Sequence, residues 1–313
     1  MSRTFTSQQA KRERVPLLVG LIGASGSGKT YSALRLATGM QRVTGGTIFY
    51  IDTEARRALH YADDFDFNHV PFDPPFSPLD YLEAIEYCVA QKASIVIVDS
   101  LSHEHEGPGG VLEMHDQFLD EKAGTDWDKR QKLNFAAWIK PKGQRQRLIN
   151  TMLQLGVNLI CCFRAKEKMK LQTGAQPKEL GWMPIAGAEF LYEMTATCLL
   201  YPRSDGTPTW NPTLPGERQM AKLPKQFIDA FKEEQLSEDI GEKLAQWAAG
   251  DEKPPSEDEM VAAVHEATAA KSVDELQTIG ATHGSRAWTP AHRLEIKRAI
   301  NARKKTIEKE SQP

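Results

Sequence analysis

Between Leu17 and Ala37 the chain reads LLVGLIGASGSGKTYSALRLA. Five of the first six residues are apolar, a glycine-rich run follows, and a lysine, a hydroxyl residue and a helix-like segment close the stretch. A strand that passes through a glycine loop straight into a helix commits the chain to a strand–helix unit rather than a hairpin. Residues 23–30, GASGSGKT, fit G-x-x-x-x-G-K-[ST]. Gly23, Gly26 and Gly28 let the backbone turn tightly and bring its N–H groups against phosphate oxygens with no Cβ in the way. Ala24, Ser25 and Ser27 complete the row of amides in that cradle. The helix opening near Lys29 adds its positive end. Lys29 is suited to the β- and γ-phosphates, and Thr30 offers a hydroxyl to magnesium. The expected ligand is therefore a nucleoside triphosphate, with magnesium as cofactor.

Four further runs read as strands: TIFYID (47–52), ASIVIVDS (93–100), VNLICCF (157–163) and ATCLLYP (196–202). They are continuously apolar rather than alternating, which suits strands covered on both faces. Helix-like segments separate them, so the expected fold is α/β, a doubly wound and mainly parallel sheet. This core is expected over 15–213, after a polar, flexible arm over 1–14. Residues 214–250 read as a helical extension with Phe227, Ile228, Phe231, Leu244 and Trp247 facing inward. GDEKPPSEDE (250–259) contains the expected linker, 251–258, being acidic, proline-bearing and without an apolar residue. Residues 259–313 read as a small helical module. Ser272 with Glu275 fits a capping box, and Thr289 before Pro290 fits a helix start. Its last helix carries Arg293, Lys297, Arg298, Arg303, Lys304 and Lys305, either a solvated face or a contact for an acidic partner.

A formal charge of −3 argues against wholesale wrapping by nucleic acid, though not against a local basic groove. Cys161, Cys162 and Cys198 sit in strand-like runs and Cys88 in a helix-like one, which suits buried thiols in a reducing compartment. The opening MSRTFTSQQAKRERVP has no apolar stretch of signal-peptide length, and the apolar run at 15–24 is too short to span a bilayer. A cytoplasmic protein with no membrane contact is expected.

The run ASIVIVDS places Asp99 at the C-terminal edge of the sheet, where parallel sheets gather ligands, and assigns it to magnesium or a water in its shell. TIFYID is followed by Thr53 and Glu54. A carboxylate just past a strand end can hold an attacking water in line with a γ-phosphate, a reaction that is mostly positioning and electrostatics. FYIDTEARRAL (49–59) resembles the segment of RecA-type recombinases in which an aspartate-x-glutamate ends the second core strand and the glutamate activates water. The order of elements over about 15–200 is similar too: glycine loop, acidic strand end, the helix-like PLDYLEAIEYCVA, a strand ending Asp-Ser, more helix, and a strand leading into a loop. In size the chain is nearest to the short RecA-like ATPases of bacteriophages, which act in single-strand annealing and recombination.

That resemblance implies an ATPase with Lys29, Glu54 and a sensor residue as its catalytic groups. The family's sensor is usually glutamine, whereas VNLICCF leads here into Arg164, which can still meet a γ-phosphate with charge and hydrogen bonds. Beyond it AKEKMKLQTGAQPKELG (165–181) reads as a mobile loop without an apolar face, and by resemblance it lies along single-stranded DNA through Lys166, Lys168 and Lys170. Such contacts are salt-sensitive and tolerant of sequence. The segment after Asp99, LSHEHEGPGGVLEMHDQFLDEKAGTDWDKR, where the family has its other DNA loop, is strongly acidic, which repels phosphate and weakens a reading of RecA-like strand exchange.

His103, His105 and His115 with Glu104 and Glu106 lack structural-zinc spacing and read as an ordinary loop. Arg56 and Arg57 fit either a solvated face or a reach across a subunit boundary, and Tyr61 is a candidate to stack on adenine. The reading reached is Mg-ATP hydrolysis coupled to binding or annealing of single-stranded DNA by a homo-oligomer. Phage or host recombination and single-strand-binding proteins are its implied partners, in a bacterial cytoplasm if phage-encoded. A helicase-loader-like motor, a small-molecule kinase and an annealing module that holds ATP without turnover remain as alternatives.

Overall fold

A computed structural model describes residues 6–7, 9–172, 175–227, 231, 234–250, 257–284, 288 and 290–310. β1 (Leu18–Gly23) feeds the glycine loop and α1 (Lys29–Thr44). β2 (Thr47–Asp52) and the short β3 (Asn68–Pro71) are separated by a 3-10 turn over Arg57–Tyr61. α2 (Pro78–Ala90) then leads into β4 (Ala93–Asp99). Four helices follow: α3 (His103–Glu106), α4 (Val111–Ala123), α5 (Trp127–Ala137) and α6 (Ile139–Met152). β5 (Asn158–Gln172), β6 (Ala175–Pro184), α7 (Ala188–Glu193) and β7 (Ala196–Leu200) complete the sheet.

The seven strands run in the order β3-β2-β4-β5-β1-β7, with β6 added on β5. Every pairing on that path is parallel, while β5 with β6 is antiparallel. The class expected from the sequence is the one observed: a doubly wound, mainly parallel α/β sheet with a helical C-terminal region. β1, β4, β5 and β7 read as continuous apolar runs because both sides of the sheet are covered, and β1 and β7 are buried at every position. The connection from β1 to β2 crosses the sheet one way and that from β3 to β4 crosses it the other way. Right-handed crossovers thus put α1 and α2 on opposite faces. Tyr81, Leu82, Ile85 and Cys88 of α2 share one core with Leu148, Ile149 and Met152 of α6 and with Val96, Val98, Leu159 and Cys161 of the strands.

Two helix starts show how local chemistry sets these elements. Ser77 caps α2 by accepting from Asp80 N–H at 3.3 Å, while Asp80 accepts from the Ser77 N–H at 3.1 Å, and Pro78 fills the first helical position. Asp126 caps α5 through the Lys129 N–H at 3.0 Å. The four cysteines are free and buried. Burial pushes the Cys88 and Cys161 thiols up to about 12.

Contacts divide the chain into two units. The larger holds Pro16–Gln41 and Gly46–Lys243, and the smaller holds Met1–Val15, Arg42–Gly45 and Leu244–Pro313. Of the stretch 214–250, helix is confined to α8 (Pro215–Arg218), a 3-10 turn at Lys225–Phe227 and α9 (Glu238–Ala248). Phe227 and Phe231 are buried and stacked at 4.7 Å, Leu244 is buried, Trp247 is half-buried, and Ile228 lies outside the described residues.

In the smaller unit, α10 (Glu257–Ala269), α11 (Val273–Gly284) and α12 (Pro290–Glu310) pack around Ala267, Leu276, Ile279 and Ile307, and around Met260, Trp288 and Ile296. Ser272 accepts from the Glu275 N–H as expected, but the Glu275 carboxylate takes the N–H of Lys271, one residue before the cap. Arg303 donates to the Ala270 carbonyl at 2.8 Å, so it is a structural part of this bundle, whereas Lys297, Arg298, Lys304 and Lys305 are exposed. The proposed linker residues 251–256 and the cap Thr289 lie outside the described residues. Among the described residues no helix is long and apolar enough to cross a membrane.

Candidate nucleotide site at the strand ends

The glycine loop leaves the end of β1 and enters α1 at Lys29. Gly26 (φ 73°) and Gly28 (φ 89°) occupy the left-handed region that only glycine enters without strain. A Cβ on Gly28 would also lie 2.7 Å from the Gly206 amide, which itself donates to the Ser27 carbonyl at 3.1 Å. The loop after β7 thus braces the glycine loop from outside. Ser27 is buried with its hydroxyl on the Ala24 carbonyl at 2.9 Å, while Ser25 and Gly26 are exposed at the loop crest.

Lys29 folds across the loop, donating to the carbonyls of Gly23 at 3.0 Å and Ala24 at 2.7 Å. Burial lowers its ammonium from the ordinary lysine range, and the charge of Asp99 opposes that shift. Thr30 donates to Asp99 Oδ2 at 2.7 Å, and Tyr50 donates to the same oxygen at 2.6 Å. Asp99 is only 3% exposed, and burial raises its carboxyl against the pull of these two hydroxyls and Lys29. The Thr30 and Asp99 oxygens are hard donors held together at the mouth of the cradle, and they fit magnesium.

The sheet register brings the other groups alongside. Gly23 pairs with Arg164, and Asp52 pairs with Asp99, so β1, β5, β4 and β2 end on one edge. Asp52 is buried and shapes the turn that follows, accepting from the N–H of Glu54 at 2.8 Å, the N–H of Ala58 at 3.1 Å and His69 at 3.1 Å. Ala55 (φ 56°) and Arg56 (φ 64°) follow in left-handed conformation, an uncommon state for two successive non-glycine residues.

Glu54, so held, meets Arg164 through two hydrogen bonds, 2.8 Å from Nε and 2.6 Å from Nη2. Burial alone would raise the Glu54 carboxyl, but the Arg164 hydrogen bonds and charge outweigh it and hold it below the usual carboxylate range. The same hydrogen bonds raise Arg164. His103 completes the group, with Nδ1 2.8 Å from the Thr53 hydroxyl and Nε2 4.0 Å from Glu54. Burial and then the Arg164 charge lower His103 below its ordinary range, so the ring is neutral near pH 7.

Sequence reasoning identified Glu54, Asp99 and Arg164 and read Asp52 as the acid that ends its strand, but missed Tyr50, Thr53 and His103 as members of this group. Tyr50 and Asp52 are two residues apart on one strand, a spacing that puts both on one side. His103 was weighed only as a metal ligand. Its neighbours are used elsewhere: Glu104 is fully buried and bidentate with Arg145 at 2.9 and 2.8 Å, Arg145 also donates to His105, and His115 stacks on Trp138 at 4.2 Å. Among the described residues no set of three metal-ligating side chains lies together. Tyr61 rests against Tyr31 at 5.7 Å, Arg56 is exposed, and Arg57 reaches Glu54 at 3.7 Å.

The stretch expected as a loop beyond Arg164 is instead a hairpin. β5 continues without a break to Gln172 and pairs with β6, beginning at Ala165 opposite Pro184 and Lys166 opposite Met183. Lysine recurs at every second position, 166, 168 and 170, which is the period of a strand and not of a helix. Lys166 and Lys168 are exposed, Lys166 lies 3.7 Å from Glu106, and Lys170 pairs with Lys178 in the backbone register.

No family model matches the chain, and no curated protein matches it. Solved structures that it resembles include a KaiC-like protein of the hyperthermophilic archaeon Pyrococcus horikoshii OT3, with 15% identity, 62% of this chain and 81% of that chain covered, and a TM-score of 0.33. Another is the genome packaging NTPase of Sulfolobus turreted icosahedral virus 2 in complex with ATP-gammaS, with 13% identity, 75% and 86% coverage, and a TM-score of 0.34.

Proposed function

We propose that this chain is a magnesium-dependent ATPase whose turnover is modulated by single-stranded DNA. The observation that carries the reading is the meeting, at one sheet edge, of a glycine cradle with Lys29, the Thr30–Asp99 oxygen pair and a strand-end glutamate. The cradle amides and Lys29 bind the triphosphate tail, and Lys29 exchanges its two carbonyl partners for phosphate oxygens. Thr30 and Asp99 would hold magnesium, which would supply charge neutralisation to the β- and γ-phosphates.

Glu54 is the general base. It takes one proton from the attacking water as the water oxygen bonds to the γ-phosphorus, the bridging oxygen leaves with ADP, and the proton then passes to solvent. In the geometry observed, Arg164 occupies both oxygens of Glu54. Turnover therefore requires Arg164 to transfer from the carboxylate to the γ-phosphate, where its planar donors suit phosphate equally well. Thr53 and His103 retain the Glu54 turn when Arg164 leaves.

Arg164 is the last residue of β5 paired with β1 and stands directly before the hairpin. Lys166, Lys168 and Lys170 give that hairpin a row of cations for a phosphate backbone. Single-stranded DNA on the hairpin would bias where Arg164 rests. Annealing in homologous recombination, with recombination or single-strand-binding proteins as partners, is the task that the resemblance of FYIDTEARRAL favours.

The test is the rate of phosphate release with and without single-stranded DNA at low and high salt. Stimulation that fades with salt is expected. A rate indifferent to DNA at both salts would remove the coupling, and no phosphate release from any nucleoside triphosphate would remove the ATPase.

A further inference from the structure

Beyond the nucleotide site, α5 and the start of α6 carry the most exposed apolar side chains of the larger unit. Phe135 is 86% exposed, Ile139 73% and Trp127 69%. Trp127 and Phe135 lie eight residues apart on α5 and Ile139 opens α6, so the three form one exposed apolar stretch, here called the stripe. Opposite it the helices are firmly seated. Ala137, Leu148 and Ile149 are buried, Asn134 meets His115 at 2.9 Å, and Arg145 is locked to Glu104. The stripe is thus an apolar surface on a rigid support, not a loosely packed core.

Its surroundings are basic. Residues 127–147 hold seven lysines and arginines against the single acid Asp128; Arg130 is paired with Asp120 and Arg145 with Glu104, which leaves the other five to the surface. Lys129, Lys132 and Lys140 are exposed with no ion-pair partner among the described residues. Apolar anchors within a charged rim are the anatomy of a protein docking surface.

The same chain carries a complement. Between β2 and β3 a groove of about 330 Å³ is floored by Leu59, Phe65 and Phe67 and rimmed by Asp63, Asp64 and Asp66. The three aspartates are exposed and likewise have no ion-pair partner among the described residues. Leu59 is 46% exposed, and Phe65 packs on Tyr31 of α1 at 5.4 Å. The groove therefore lies beside α1, whereas α6 packs with α2 on the opposite face. Two complementary surfaces that look different ways satisfy each other between copies, head to tail.

We propose that the stripe centred on Phe135 seats in the acidic groove at Leu59–Phe67 of a second copy of this chain, with Lys129 and Lys132 facing its aspartates. The contact is heterologous, so it builds a ring or a filament and not a closed pair. It does not depend on the ATPase reading, because mass is measured without turnover.

Sedimentation equilibrium of the full chain, with and without Mg-ATP, tests it. The parent should exceed the 35.0 kDa of one chain, and Phe135→Asp and Asp64→Lys should each return it to monomer with an unchanged melting temperature. Lys132→Glu should weaken association at least about tenfold, one factor of ten being about 1.4 kcal/mol, and Lys132→Glu with Asp64→Lys should restore it. A parent that stays monomeric, or variants that assemble as the parent does, would overturn the proposal. So would variants of unchanged mass that lose affinity for a fluorescent oligonucleotide, which would make the stripe a nucleic-acid surface.

Discussion

The guanidinium of Arg164 lies in a fork around the carboxylate of Glu54, with donor–acceptor distances of 2.8 and 2.6 Å. The two residues are separated by 110 positions and come from β5 and the turn after β2. Both are also within the field of Lys29 and Asp99. Four predictions rest on this edge and on the packing behind it.

Glu54→Gln should retain nucleotide binding and lose turnover by at least about a hundredfold, since a general base contributes roughly 10²–10⁴. The amide keeps one acceptor for Arg164 but takes no proton. Stopped-flow binding and phosphate release on the same sample check this; turnover close to that of the parent places the base elsewhere.

Arg164→Ala should leave Glu54 without its fork, and burial then raises the Glu54 carboxyl. In the parent, the folded carboxyl is depressed, so the pair's stabilisation is complete above the ordinary glutamate value of about 4.3 and declines as pH falls through the folded value. The melting difference between parent and Arg164→Ala should accordingly be largest near neutrality and shrink below about pH 4. A difference that stays constant down to pH 3 would refute the ion pair as its origin. Arg164→Lys should restore part of the neutral-pH stability but little turnover, because one ammonium does not reproduce a planar fork.

Asp99→Asn should raise the melting temperature while removing magnesium-dependent nucleotide binding. The buried carboxylate has its pKa raised, so the cost of its charge builds as pH rises from the ordinary aspartate value of about 3.9 to the raised one and is complete above it. Relief of about 1 kcal/mol corresponds to roughly 2–4 °C in a unit of this size. Calorimetry should show the full gain at about pH 8 and less of it near pH 4, at the ordinary aspartate value. A variant that melts lower at both pH values contradicts the assignment.

Arg145→Ala should be among the most damaging substitutions away from the site. It leaves Glu104, which is fully buried, without its bidentate partner, and breaking such a pair costs about 3–5 kcal/mol. Urea unfolding midpoints measure the loss. A change below about 1 kcal/mol would show that water or His105 substitutes for the guanidinium.

Much of the sheet edge was legible in short stretches of sequence. GASGSGKT favours its own backbone path, because Gly26 and Gly28 adopt positive φ values that glycine takes without strain. Asp52 and Asp99 end continuous apolar runs, and continuity of that kind already implies strands buried on both faces. The hairpin over 165–184 was less legible. Its lysines repeat with a period of two, but the run has few apolar residues, so nothing in it demands a buried face.

What the sequence alone determined was therefore local: the phosphate cradle, the strand-and-helix alternation and the acids at strand ends, each encoded by residues close together in the chain. Only the tertiary structure decided that Tyr50 shares an oxygen of Asp99 with Thr30, that Arg164 closes on Glu54, and that Glu104 pairs with Arg145. Those partners come from separate elements, and their meeting depends on strand order and register. Register is set by how the entire core packs, and no window of neighbouring residues contains that information.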